Sequence, residues 1–210
     1  MKKELTIDDF KSMLEHALKN ISERVDEFSS LDAVIGDGDH GQAIYTAMLT
    51  AVNTARQGVE FKSMLNDIGM NMMLQVSGST STLLGAFFLG MGDCVSGTRL
   101  DAAEVRGMFA GALANLQKQT QAKPGDKTLM DAVVPAVEAM QLCKSEDIVE
   151  VMQAGADAAL AGAAATTRMK ANYGRARNYG ERSVGFADSG ATSWSCILQS
   201  FVEALKTMAD

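Results

Sequence analysis

Three aspartates lie close together in the run from Leu31 to Gly41, which also contains a histidine and three glycines. Carboxylates that converge in so short a stretch repel one another, so a cation must neutralise them or their pKa values must rise. Clustered carboxylate oxygens suit hard cations such as Mg2+ or Ca2+, whereas zinc sites are usually built from cysteine and histidine. Asp32, Asp37 and Asp39 are therefore the candidate metal ligands, and the glycines allow the backbone to fold closely around an ion.

The alternative for this acidic segment (residues 32–41) is a solvated turn, because Asp-Gly-Asp runs are common in surface loops. Two features argue against that alternative. Apolar residues 33–35 separate the acids, and the segment directly follows a long amphipathic stretch that would form a rigid element. An EF-hand is disfavoured because the twelfth residue counted from Asp37 is Met48, where a bidentate glutamate would be needed.

Three further segments could take part in chemistry. The hydroxyl segment, Ser77–Thr82, precedes an apolar run, and such residues at a helix start can surround a phosphate, although they also form ordinary N-caps. The proline turn, Lys123–Thr128, lacks the full Walker A frame, so we exclude a P-loop. The arginine segment (residues 170–190) contains three arginines and four glycines. Guanidinium groups bind phosphates bidentately, although a segment of this kind can also be a mobile solvated loop.

The composition fits a globular protein with one domain over residues 1–210, since 47% of the residues are hydrophobic and 21% are charged. The net charge of -7 argues against nonspecific binding of nucleic acid, which requires a basic surface. The three cysteines stand in apolar helical stretches, and we interpret them as reduced core residues of a cytoplasmic protein. The N-terminus resembles no signal peptide, and the longest near-apolar stretch, residues 83–92, is too short to span a membrane.

Helical periodicity dominates the sequence. The apolar residues from Phe10 to Phe28 follow a three-and-four spacing that predicts one amphipathic helix, and Thr6 with Asp9 resembles a capping box at its start. Seven further helices are predicted over residues 41–56, 61–76, 82–95, 101–116, 128–142, 146–169 and 191–208. We find no convincing strand pair. The short connections predict an all-α, up-down bundle of about eight antiparallel helices.

In an up-down bundle, alternate connections lie at the same end. The connections after the first, third, fifth and seventh predicted helices contain the acidic segment, the hydroxyl segment, residues 120–126 and the arginine segment. We therefore expect these four unusual segments to cluster. Together they would supply carboxylates for a metal, hydroxyl and N–H groups for a phosphate, and an arginine, which are the groups that phosphoryl transfer requires.

Four motifs carry a resemblance to a known family. Gly36–Gly41, Pro124–Thr128, Gly180–Gly185 and Asp188–Thr192 resemble, in order, motifs of the nucleotide-binding L subunit of dihydroxyacetone kinase. The matches extend over nearly the whole chain, and its length is similar to that of the bacterial version that depends on the phosphoenolpyruvate phosphotransferase system. The resemblance implies a closed bundle of eight helices with ADP and a pair of Mg2+ ions at one end.

The resemblance also implies roles for individual residues. Asp32, Asp37 and Asp39 would bind the metal, and Arg175 would act catalytically by stabilising the transferring phosphoryl group. The residues implied in binding the nucleotide are His40, Gly41, Gln42, Ala43, Ser79, Thr80, Thr120, Leu129, Arg175, Asp188, Ser189 and Gly190.

The family resemblance further implies partners for the chain. In that family ADP stays bound, a phosphocarrier M subunit of the phosphotransferase system recharges it, and the resulting ATP phosphorylates a ketose held on a separate substrate-binding K subunit. A transcriptional regulator is a further candidate partner, whereas nucleic acid and membrane are not expected. The cofactors implied are ADP or ATP with Mg2+.

The chain departs from the family pattern in three places. The hydroxyl segment replaces a run that is rich in glycine and ends in proline, Thr120 stands where glycine is usual, and Ser189 where proline is usual. These departures leave open a divergent paralogue that acts on another small ketose, or a non-catalytic regulatory subunit. A metal-dependent hydrolase is a third alternative, because all-helical hydrolases also use clustered aspartates on Mg2+.

Overall fold

The computed structural model describes residues 1–76 and 78–208, and this part of the chain forms a helical bundle. The helices are α1 (Ile7–Glu23), α2 (Val25–Ile35), α3 (His40–Ala55), α4 (Phe61–Gln75), α5 (Ser79–Gly92), α6 (Ala102–Gln119), α7 (Met130–Leu142), α8 (Ile148–Ala165) and α9 (Ser189–Thr207). Two 3-10 helices, Thr166–Arg168 and Arg175–Ser183, lie between α8 and α9, and the second is broken at Gly180.

Each helix from α2 to α8 packs against the next helix in the chain, which is the neighbour relation that short connections predict. The bundle closes because α9 also packs against α1, and α1 packs against α3. The interior is apolar, with Phe10 in contact distance of both Phe61 and Phe201. The prediction of an all-α closed bundle is confirmed.

The prediction of one helix from Phe10 to Phe28 is wrong, because the chain turns at Arg24 and begins a separate helix, α2. The N–H of Arg24 bonds to the carbonyl of Ile21, and its guanidinium is held by the carboxylate of Glu27 at 2.8 Å. Apolar spacing did not reveal the break, because it continues across Arg24: Phe10 before the break and Phe28 after it are both fully buried. Helix α2 ends at Ile35, so its last turns carry Asp32 and form the start of the acidic segment.

A short antiparallel pair of strands, β1 (Glu4–Thr6) and β2 (Arg99–Asp101), joins the starts of α1 and α6. The expectation that strand pairs are absent is therefore wrong; three residues are too few for an alternating pattern to show. Each strand leads directly into a capped helix. Thr6 forms a capping box with Asp9, as predicted, and Asp101 forms one with Glu104.

The sequence suggested that all three cysteines are core residues, and this prediction is wrong for one of them. Cys196 is buried and Cys143 is half-buried, but Cys94 is exposed. The reason is that α5 ends at Gly92, three residues before the predicted end, so Cys94 lies in the turn that follows the helix.

Helix α8 and the turn after it, residues 148–168, are long and apolar enough to cross a membrane by length and composition alone. The helix instead packs against both α7 and α9, and its buried face includes Val151, Met152, Ala156 and Ala159. An alanine-rich helix that packs one face into a bundle meets the same criterion. We therefore interpret α8 as a helix of the bundle.

Candidate functional site

The four unusual segments meet around one cavity of about 380 Å3 at one end of the bundle. Its walls come from the α2–α3, α4–α5, α6–α7 and α8–α9 connections, as the up-down arrangement predicts. Ser77 of the hydroxyl segment lies outside the described residues. The predicted site residues that line the cavity are Asp32, Asp37, Asp39, His40, Ala43, Ser79, Thr80, Thr120, Leu129, Arg175, Asp188, Ser189 and Gly190.

The three candidate metal ligands lie together on one side of the cavity. Each of Asp32, Asp37 and Asp39 offers a carboxylate oxygen, and these oxygens lie within 4.8 Å of one another. Asp32 belongs to the last turns of α2 rather than to a loop, whereas Asp37 and Asp39 are exposed in the connection to α3. A cluster of hard, anionic oxygens is the donor set that Mg2+ prefers, so the residues present fit that ion.

The side chain of Asp32 is fixed through both carboxylate oxygens. The N–H of Gly38, whose φ is +80°, donates to Oδ2 at 2.8 Å, and the hydroxyl of Ser189 donates to Oδ1 at 3.2 Å. Gly36 packs directly over this carboxylate, since a Cβ there would lie 2.5 Å from Oδ1. Gly36 is thus required because its backbone lies against the carboxylate, and Gly38 because its φ is positive. Both glycines help to hold Asp32, a candidate metal ligand, in a fixed position.

Arg175 lies at the mouth of the cavity, in the first turn of a 3-10 helix, and its guanidinium pairs with the carboxylate of Asp37. The arginine remains largely exposed. The ion pair brings the arginine segment against the acidic segment. A cation held by the aspartates and the guanidinium of Arg175 would therefore both face a phosphate group bound in the cavity.

His40 begins α3 and is buried between two other elements of the site. Its Nε2 lies 2.8 Å from the hydroxyl oxygen of Ser193 on α9, and its Nδ1 lies 3.4 Å from that of Thr80 on α5. Burial lowers the pKa of His40, and the nearby carboxylate of Asp32 opposes this effect. A neutral imidazole in this position links three helices around the cavity.

Asp188 caps α9 from the floor of the cavity, where its carboxylate accepts the N–H of Ala191 at 2.7 Å. Asp188 is half-buried, and the desolvation of its carboxyl raises the pKa of Asp188 to about 7. The bond from Ala191 and the charge of Lys127 oppose the rise, whereas the carboxylates of Asp131 and Asp32 add to it.

Two predicted residues do not line the cavity. Gly41 is buried where α3 crosses α2, and a Cβ there would lie 2.0 Å from the carbonyl oxygen of Val25. Gln42 is exposed on α3, and its amide donates to the hydroxyl of Thr46 at 3.2 Å. A nucleotide contact by either residue stays a prediction.

Comparison with known proteins places the chain in a family. The family model described as the DAK2 domain matches residues 34–203. The chain belongs to the DAK2-domain family. The resemblance to the L subunit of dihydroxyacetone kinase is confirmed by relatives that match over most of their own length.

Three relatives illustrate the family. The ADP-binding subunit of PEP-dependent dihydroxyacetone kinase 2 from Listeria innocua is 34% identical, over 89% of each chain. The corresponding Escherichia coli subunit is 31% identical, over 85% of this chain and 87% of its own. D-erythrulose kinase from Mycolicibacterium smegmatis is 33% identical over 82% of this chain, but the match covers only 31% of that protein.

A solved structure supports the fold. The dihydroxyacetone kinase from C. freundii, crystallised with AMP-PNP and Mg2+, superposes on this DAK2 domain with a TM-score of 0.71 and 24% identity. The superposition covers 92% of this chain and 33% of the other. At that identity the comparison supports the helical architecture alone.

Gly41→Ala tests whether Gly41 is required for packing in this DAK2 domain. The added methyl would overlap a backbone carbonyl that cannot move aside, so we expect the free energy of unfolding to fall by about 2 kcal/mol or more. Gly107→Ala is the matched control, because Gly107 is exposed in α6 and its Cβ would meet no atom within 4 Å. The control should gain up to about 1 kcal/mol of stability. Urea unfolding of both variants measures the difference, and equal stabilities would contradict the packing role.

Asp188 should make the stability of the metal-free protein depend on pH. Between about pH 4 and pH 7 this carboxyl is ionised in the unfolded chain but still protonated in the folded one, so stability falls as pH rises. The full pKa shift corresponds to about 4 kcal/mol, and solvent screening of this half-buried carboxyl reduces the effect. We therefore expect a loss of roughly 2 kcal/mol across this window, relative to Asp188→Asn, whose amide can still cap α9. Urea unfolding in a chelator at several pH values measures it, and parallel pH profiles would show that Asp188 ionises normally.

Several residues of the site were not identified from the sequence. Lys127 lines the cavity yet is buried, although a lysine in a polar turn is normally exposed. Leu83 and Trp194 lie at apolar positions of two predicted helices, and in the structure they form part of the cavity wall. Tyr173 lies on the exposed rim. Periodicity indicates which residues point inward, but it does not distinguish a core position from a cavity wall.

Proposed function

We propose that this protein is the nucleotide-binding phosphotransferase subunit of a dihydroxyacetone kinase and forms one nucleotide-binding domain over its whole length. It would bind ADP or ATP with Mg2+ in the cavity at the end of the bundle. One observation carries the proposal: the oxygens of Asp32, Asp37 and Asp39 lie within 4.8 Å of one another in the same cavity as the start of α5 and Arg175. This combination matches the requirements of phosphoryl transfer.

The three aspartates would hold a pair of Mg2+ ions against the nucleotide phosphates. Bound Mg2+ supplies positive charge that neutralises the phosphate oxygens during transfer. The chain prepares the ligands in advance, since Asp32 is held by Gly38 and Ser189.

The start of α5 would bind the phosphates. The first N–H groups of a helix have no partner within the helix, and Gly78, which precedes Ser79, carries no side chain that could cap them. The hydroxyls of Ser81 and Thr82 donate back to the carbonyl of Gly78, whereas Ser79 and Thr80 line the cavity. The apolar side chains of Leu83 and Leu129 line the same cavity and would accept the uncharged part of the nucleotide.

Partner subunits would dock at the mouth of the cavity. The rim carries two exposed side chains of the arginine segment, the aromatic Tyr173 and the basic Arg175. A phosphocarrier M subunit would return a phosphoryl group to ADP, and a K subunit would present the ketose to the ATP formed. We expect this exchange to take place in the cytoplasm, and a transcriptional regulator is a further candidate partner at the same surface.

The relatives favour this function over the alternatives considered from the sequence. Those that match over most of their length are described as ADP-binding subunits of dihydroxyacetone kinases. A kinase subunit explains why carboxylates, a helix start and an arginine share one cavity. A hydrolase acting alone or a non-catalytic regulatory subunit would not require this combination of groups. The altered hydroxyl segment and Ser189 are then variations within the site, and a different ketose is not favoured.

The test begins with the protein purified in Mg2+ without added nucleotide. The protein is denatured, and released nucleotide is quantified by chromatography. Near-stoichiometric ADP supports the proposal, as does formation of dihydroxyacetone phosphate once phosphocarrier and ketose-binding subunits are added. A preparation that is empty but binds added nucleotide would indicate exchange with free ATP instead. A protein that binds neither ADP nor ATP with Mg2+ would contradict the proposal.

A further inference from the structure

Lys127 combines two unusual properties at the edge of the cavity. Its side chain is only 1% exposed, and among residues 1–76 and 78–208 it is the one non-glycine residue with a positive φ, of 60°. Both properties cost free energy, because an ammonium group loses its hydration and a residue with a Cβ is disfavoured in the left-handed region. Such features persist where the surroundings enforce them, which is most often at functional sites.

The ammonium group of Lys127 is bonded to three backbone carbonyls. Its Nζ donates to the oxygens of Thr166 at 2.7 Å, Met169 at 3.2 Å and Phe186 at 2.5 Å. An ammonium has three hydrogens, so these bonds use its whole donor capacity. Lys127 is therefore unlike the lysine of a P-loop, which points its charge at phosphate.

The three carbonyls lie at the two ends of the arginine segment. Thr166 and Met169 are where the chain leaves α8, and Phe186 is where it approaches α9. Two other bonds join the same ends: the N–H of Gly185 donates to the carbonyl of Thr167 at 2.8 Å, and that of Ala171 to the hydroxyl of Ser183 at 2.8 Å. The residues between them form a closed loop whose neck is at Lys127.

Two groups of the site extend from this neck. Arg175 lies within the loop and reaches across the cavity mouth to Asp37, while Asp188 follows the neck directly and caps α9. The N–H of Asp188 also donates to the hydroxyl of Thr166 at 2.9 Å, beside the carbonyl that Lys127 holds. A change at the neck would therefore move both groups.

We propose that Lys127 is a positioning residue, which clasps the neck of the arginine segment and thereby holds Arg175 over the nucleotide cavity without contacting the nucleotide. The role of Lys127 in holding Arg175 over a nucleotide rests on the proposed function, whereas its role in clasping the neck does not. The clasping role is tested on the nucleotide-free protein, so the two can fail separately.

The first test is hydrogen exchange of nucleotide-free Lys127→Met. Removal of the ammonium leaves three carbonyls without their shared donor, so amides of residues 170–187 should exchange at least tenfold faster, while those of α4 and α5 are unchanged. Lys123→Met is the matched control, since Lys123 is an exposed lysine in the same turn. Lys127→Arg, which keeps the charge, should restore part of the protection. Unchanged exchange in Lys127→Met would overturn the proposal.

The second test separates positioning from general stability. In a reconstituted kinase assay, Lys127→Met should lower kcat more than tenfold, and combining it with Arg175→Ala should lower kcat little beyond Arg175→Ala alone. That result is expected if Lys127 acts through Arg175. Effects that multiply in the double variant would overturn the proposal. If Lys127→Met does not fold, Lys127→Gln, whose amide retains two donor hydrogens, is used with the same expected results.

Discussion

Replacing Asp37 with alanine is expected to abolish Mg2+-dependent nucleotide binding while leaving the fold intact. Asp37 is one of three carboxylates whose oxygens lie within 4.8 Å, and it is exposed at the cavity mouth. Loss of one anionic ligand should weaken binding of ADP with Mg2+ by at least ~100-fold, since changes even to groups behind metal ligands typically cost 10–100-fold. Calorimetric titration with ADP in Mg2+ measures the change, and the variant should also be purified without nucleotide.

The stability of the same variant provides an internal control. Without metal, removal of one of three mutually repelling carboxylates should leave the folded state as stable as before, or more stable, despite the loss of the ion pair with Arg175. Asp67→Ala, at an exposed position in α4, should bind nucleotide normally. Retained nucleotide in Asp37→Ala would mean that the cation is held elsewhere, and unfolding of the variant would mean that Asp37 is structural.

Most of the fold could be predicted from the sequence because the bundle is built from long amphipathic helices with short connections. Apolar spacing identifies which residues face the interior, and the chain order of a closed bundle then fixes which connections share an end. The clustering of the acidic, hydroxyl and arginine segments follows from this order. The break at Arg24 and the β1–β2 pair could not be predicted in this way, since one turn residue and two three-residue strands leave the apolar pattern almost unchanged.

For the candidate site, the sequence predicted which segments lie together around the cavity, but not the contacts of their side chains. Asp32 belongs to the end of α2, and the hydroxyl of Ser189 donates to it. Thr120 accepts the N–H of Ala122 through its hydroxyl. At Thr120 and Ser189, two of the three departures from the family pattern, the chain therefore forms a hydrogen bond that glycine or proline could not form through a side chain. A sequence indicates that such a residue is unusual, but only the fold shows the group that it contacts.

Arg175→Ala is expected to lower the rate of phosphoryl transfer far more than it weakens nucleotide binding. Arg175 shares the carboxylate of Asp37 with the predicted cation, so its guanidinium becomes available to phosphoryl oxygens once that carboxylate is neutralised. An arginine that stabilises the transferring group contributes about 10^3-fold or more to kcat. We therefore expect kcat of the reconstituted kinase to fall by about that factor, while the Kd for ADP rises less than ~10-fold.

Two further variants distinguish transition-state stabilisation from simple charge. Arg175→Lys keeps a positive charge but loses the planar, bidentate donor, so its kcat should lie between those of wild type and Arg175→Ala. Arg177→Ala removes an exposed arginine two residues away and should retain nearly full kcat. If kcat and the affinity for ADP fell by the same factor in Arg175→Ala, the arginine would act on the bound nucleotide in its ground state. If neither changed, its pair with Asp37 would serve only to close the loop, and another group would have to stabilise the phosphoryl group during transfer.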